Sequence, residues 1–197
     1  MRQARNLSFF LSVLFLGLTG SCGTADDSVV EGAGSSLILV QVPEGRAVRE
    51  YQPEALAVGT EGQGGFDSVA DIRLYTTGPE VGFTGFDDFV GFTLRNMCAA
   101  DGPGASIHCG EVRAPQPFEA RSGLEGDVFY LERIQENLSN GARRVGVWGP
   151  IFVFDVSDGS GGHAALVVQP PANVPEESVD SELLRTVADS VRMSARD

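Results

Sequence analysis

Four consecutive large apolar residues, Ile151-Phe152-Val153-Phe154, narrow the folds open to this chain more than any other stretch, because a strand of that composition leaves no side for solvent. The strand reading extends past Asp155 to Val156, and a second apolar segment, Ala164 to Val168, follows after Ser157-Asp158-Gly159-Ser160-Gly161-Gly162. Six small or polar residues between two apolar runs read as a hairpin. The pair is expected at the centre of a sheet covered on both faces. One cover is expected from a helix near the C-terminal end, where Val179, Leu183, Leu184, Val187 and Val191 recur at helical spacing. Glu176, Glu177, Asp180 and Glu182 near its start, and Arg192 and Arg196 near its end, suit the helix dipole. Pro170-Pro171 and Pro175 hold the connection extended, so the helix can fold back across the sheet.

Other strands are legible by period. Leu37 to Val42 is an apolar run stopped by Pro43-Glu44-Gly45, and Ala70 to Tyr75 alternates Ile72 and Leu74 against Asp71, Arg73 and Tyr75. Phe89 to Leu94 reads as a strand after a Gly82 to Gly85 turn. Asp127 to Ile134 and Arg143 to Trp148 flank the turn signal Asn140-Gly141. Pro53-Glu54-Ala55-Leu56-Ala57 reads as a single helical turn, followed by a glycine-rich loop from Gly59 to Gly65. The fold class expected is α+β: an antiparallel sheet of about six or seven strands packed by a C-terminal helix, in one domain over 37–193.

Cys98 and Cys109 enclose Ala99 to His108, which holds the turn-forming Asp101-Gly102-Pro103-Gly104. Two strands joined by that turn would bring the sulfurs together, and a bridge closing so short a loop stabilises by roughly 3 kcal/mol. A redox pair would favour Cys-x-x-Cys spacing, and zinc with His108 would need further ligands, so a structural disulfide is expected.

The first residues carry an address. Arg2 and Arg5 precede a charge-free, largely apolar segment, Leu7 to Leu18, which is 12 residues long. That falls short of the roughly 20 residues needed to span a bilayer. Thr19-Gly20-Ser21-Cys22 then supplies small residues before a cysteine. The arrangement resembles a bacterial lipoprotein signal, which implies a signal peptide over 1–21, lipidation of Cys22 and a membrane held through the lipid. Gly23 and Ala25 equally suit ordinary export with cleavage after Ala25, which would give a soluble periplasmic or secreted form. From Cys22 to Ser36, Gly, Ser, Ala and Asp predominate and only Val29-Val30 offers much to bury, so a flexible tether is expected over 22–36.

Formal charge excludes some partners. The chain carries −13, or −15 once Arg2 and Arg5 leave with the signal, and such a surface repels phosphate backbones. Nucleic acid is not an expected partner.

A further resemblance rests on order. An apolar strand ending in Pro43-Glu44-Gly45, a meander of strands, the Ser122-Gly123-Leu124-Glu125-Gly126 turn, the hairpin Ile151 to Val168 and a last helix closing on Val187-Ala188-Asp189-Ser190-Val191 together resemble a PsbP-type α/β sandwich over Leu37 to Met193. The resemblance implies an antiparallel sheet packed with helices and used mostly for binding and assembly.

Chemistry-bearing residues are sparse. His108 and His163 are the two side chains suited to moving protons near neutral pH. Ser160 lies near His163, but a nucleophile elbow needs Gly-x-Ser-x-Gly and position 158 is Asp. Asp155, Ser157 and Asp158 place oxygens at short spacing, yet Gly159 breaks the EF-hand pattern. Asp87-Asp88 reads as a solvated loop, and no metal or cofactor is expected. Phe83, Phe86, Phe89 and Phe92 recur at intervals of three, giving a candidate apolar binding surface if two of them are exposed together. The expected function is a non-catalytic binding or assembly module of the cell envelope, with an unidentified envelope protein or a small apolar ligand as partner. The competing expectation is an envelope hydrolase using His163 or His108.

Overall fold

Strands dominate, and each of the apolar runs around Ile72, Phe129, Phe152 and Val167 lies in one. The computed structural model describes residues 29–31, 38–52, 54–97, 100–102 and 105–194. The signal peptide, Cys22, most of the expected tether and Cys98 lie outside the described residues. The strands are β1 (Val29–Glu31), β2 (Ile38–Gln41), β3 (Ala47–Gln52), β4 (Ala55–Gly62) and β5 (Gly65–Thr77). Helix α1 (Phe86–Met97) follows. Then come β6 (Ala100–Gly102), β7 (Ala105–Val112), β8 (Gln116–Glu119), β9 (Glu125–Asn137), β10 (Arg143–Asp155) and β11 (His163–Gln169). A single 3-10 turn (Glu176–Ser178), helix α2 (Ser181–Ser190) and β12 (Arg192–Met193) close the chain.

The main sheet is antiparallel, in the order β3-β4-β5-β11-β10-β9-β7-β6, with β8 also paired to β9. Strands β7 and β8 share one flank of β9, β7 against Leu131–Asn137 and β8 against Glu125–Val128. A separate three-stranded sheet runs β1-β2-β12. The α+β class therefore holds, with two corrections. The described strands outnumber the six or seven expected, and the C-terminal helix is not the sole packing element.

Each face of the central strands has its own cover. Phe152, Phe154, Leu166 and Val168 point one way, onto Leu184, Val187 and Ala188 of α2 and Ile38 and Val40 of β2. Ile151, Val153, Ala165 and Val167 point the other way, onto Phe89, Val90 and Leu94 of α1. The alternation of side chains along a strand makes this division, and it explains why the Ile151 to Phe154 run is apolar without interruption. Asp180 caps α2, its Oδ1 accepting from Leu183 N at 3.0 Å. The basic end expected for this helix is absent, because α2 stops at Ser190 and Arg192 belongs to β12.

Three local expectations are overturned. Phe89 to Leu94 is helical: Phe89, Val90, Thr93 and Leu94 are its buried residues, and that i, i+4 face outweighs the strand propensity of Phe, Val and Thr. Asp87 and Asp88, read above as a solvated loop, instead form its first turn, and with Arg95 in the last they favour α1 through its dipole. Ala55 to Gly62 is a strand instead of a helical turn and a loop. Its Ala55-Leu56-Ala57-Val58 run is buried on both sides, and Gly59 sits where a Cβ would collide with the Asp67 carbonyl of β5. Leu37 to Val42 supplies β2, but to the small sheet. Within the stretch read as a tether, Val29–Glu31 pairs with β2.

Candidate functional site

Helix α1 covers only part of its face of the sheet. Beyond it, the adjoining ends of β9 and β10 floor a groove of about 710 Å³. Phe129 and Val153 rise from the sheet, Phe86, Val90 and Leu94 come from α1, and Val112 and Pro115 from the end of β7 and the link to β8. Gly91 lies in the α1 wall, and the nearest atom to a Cβ built there is Arg95 Nη1 at 3.4 Å.

The rim has the opposite chemistry. Asp127 stands opposite Val153 in the β9–β10 register, so alternation places Glu125, Asp127 and Asp155 on the groove side with Phe129 and Val153. Asp87 adds a fourth carboxylate from the first turn of α1, against a single guanidinium, Arg95. Among the described residues, no ion pair engages any of these four acids or Arg95. Asp155 accepts from Ser157 N at 3.0 Å and from Ser157 Oγ at 2.6 Å, which holds the turn leaving β10.

The four phenylalanines divide among several environments. Phe89 is 4 % exposed and belongs to the core, whereas Phe92 is 50 % exposed. Phe83 packs between these two, its ring 5.4 Å from each. Phe86 alone of the four lines the groove.

The histidines are equally separate. His163 begins β11 and stacks on Phe89, and Phe86 meets it edge-on. His108 Nε2 lies 2.9 Å from Ser106 Oγ on β7, with Ser106 itself 8 % exposed. Among the described residues no ion pair joins either histidine to a carboxylate, and Ser160 is not hydrogen-bonded to His163. Asp158 Oδ1 instead accepts from Ser160 N at 2.9 Å, closing the hairpin turn. Asp88 reaches back from α1 to accept from Thr84 N at 3.2 Å. No group of three or more metal-ligating side chains occurs among the described residues. Cys109 is disulfide-bonded on β7, and Cys98, its expected partner, lies outside the described residues.

Sequence reasoning missed Glu125, Asp127, Val153 and Leu94 as site residues. Asp127 and Val153 were legible as strand positions, but Glu125 was read as turn, and the groove these residues line depends on where α1 stops, α1 itself having been read as a strand. The signal that could have found it is the spacing of Phe86, Val90 and Leu94, four residues apart.

No protein-family model matches this sequence, and no curated protein matches it.

Proposed function

We propose that the chain is a lipid-anchored protein of the cell envelope that acts as a non-catalytic binding or assembly module, with the groove beside α1 as its ligand site. The groove carries this reading. Its volume lies within the range of about 300 to 1,000 Å³ usual for small-molecule sites, and apolar side chains wall it. The two histidines that the competing hydrolase reading would use stand outside the groove: His163 packs on phenylalanine, and His108 partners a nearly buried serine. The sheet with α1 on one face and α2 on the other suits the resemblance to a PsbP-type sandwich. The address rests on the Arg2 to Cys22 segment, and Cys98 pairing with Cys109 suits an oxidising compartment. Among the described residues no helix is long and apolar enough to cross a membrane. The attachment proposed is through acylated Cys22, on the resemblance of Arg2 to Cys22 to a lipoprotein signal.

Intact mass of the mature protein from a bacterial host, combined with detergent-phase partitioning, tests the anchor. A chain beginning at Cys22 with an added diacylglyceryl group, recovered in the detergent phase, is the expected result. A soluble chain beginning at Asp26 overturns the anchor. Hydrolysis of an esterase, peptidase or phosphatase substrate that is lost in His163→Ala or His108→Ala would overturn the non-catalytic reading.

A further inference from the structure

The groove combines an apolar interior with a rim of one sign, and the pairing of the two selects a ligand class. We infer that it takes a small amphiphilic cation: an apolar body lodged between α1 and the β9–β10 floor, with a protonated or quaternary amine at the Asp127 end. This rests on the groove being the ligand site. It goes further by specifying charge.

Glu125, Asp127 and Asp155 project from adjoining strand ends on the side of the sheet that forms the floor, and Asp87 closes the rim from α1. Arg95 is the one cation among the lining residues, so the rim is negative by three charges. A bound anion would meet like charge beside an apolar floor, where screening by water is weaker than in bulk. A cation would be attracted there while its apolar body displaces water from Phe86, Val112, Pro115 and Phe129, the lining apolar residues that keep part of their surface open. Among the described residues no cation pairs with the rim acids, so a ligand cation would not have to break such a pair. The volume of the groove is that of a small-molecule site, which favours a single small amphiphile over a macromolecular partner.

The test uses the full chain carrying Cys22→Ser, so that no acyl group competes. Decyltrimethylammonium, decyl maltoside and decyl sulfate are titrated below their micellar concentrations, with binding read by calorimetry. The trimethylammonium probe is expected to bind about tenfold more tightly than the sulfate. Asp127→Asn should remove most of that preference, whereas Glu44→Gln, a charge-matched change on the turn between β2 and β3, should leave it intact. Gly91→Phe, which adds bulk to the α1 wall, should abolish binding of all three probes. Equal affinity for the three, with loss in Gly91→Phe, would overturn the charge selectivity and leave the groove as a general apolar site. Equal effects of Asp127→Asn and Glu44→Gln would also overturn it, tracing the preference to net charge. No binding of any probe, or binding unaffected by Gly91→Phe, would overturn the groove itself as the ligand site.

Discussion

The imidazole of His163 lies against the ring of Phe89, with centroids 6.0 Å apart and planes 20° from parallel. Phe89 is a core residue of α1, and His163 opens β11, so the stack joins helix to sheet at the end of the central hairpin. A histidine so placed acts as an aromatic wedge. His163→Ala is expected to destabilise by about 1 kcal/mol, the usual worth of an aromatic pair, and His163→Phe to restore most of it. Urea denaturation of the two variants checks this, because a proton-transfer role would not be restored by phenylalanine.

Helix α1 separates positions that a strand reading would treat alike. Leu94 is 1 % exposed and Phe92 is 50 % exposed. Leu94→Ala should cost about 2 to 5 kcal/mol, and Phe92→Ser, which loses only its pairing with Phe83, about 1 kcal/mol. Thermal unfolding of the pair measures both.

Arg133 ties the connection between β11 and α2 to the sheet. It is 8 % exposed, donates to the carbonyl oxygens of Ala172 and Val174, and lies with its guanidinium 5.7 Å from the Trp148 ring. Arg133→Ala is expected to lose about 3 kcal/mol, since two carbonyls and a buried ring lose a charged partner together. Amide exchange across 170–178 should accelerate in the same variant.

Burial pushes the Asp71 carboxyl above its ordinary value, with the Ser68 hydroxyl and then Arg73 acting in the opposite direction. The folded chain therefore holds this proton more tightly than the unfolded chain. The stability contributed is fully present below the ordinary aspartate value and is lost as pH rises through the raised one. Asp71→Asn should accordingly melt higher than the native chain at neutral pH, with the difference closing on acidification. Melting curves across that range measure the crossing.

How much of this was legible depends on whether the pattern was local. The β10–β11 hairpin and its central position followed from Phe152, Phe154, Leu166 and Val168, whose apolarity needs cover on both sides. The face of α2 followed from Leu184 and Val187 for the same reason. Val90 and Leu94 were misread because Phe, Thr and Val satisfy strand propensity and helical spacing at once, and tertiary packing decided between them. Ala57 was misread because small residues beside glycine look like loop until the neighbouring strand is known. The acidic rim required two such facts together: the register that sets Asp127 opposite Val153, and the point where α1 ends.

Met193 of β12 stands directly opposite Ile38 of β2, and Ser190 Oγ meets the main chain of Gln41 on the same small sheet. The chain thus enters and leaves the domain at one place. A circularly permuted protein that joins these two points through a short linker and opens at Asn140-Gly141 would retain every strand pairing of the main sheet. Cargo fused after Met193 would emerge beside Ile38, so the geometry of a fusion is set by the β2–β12 seam.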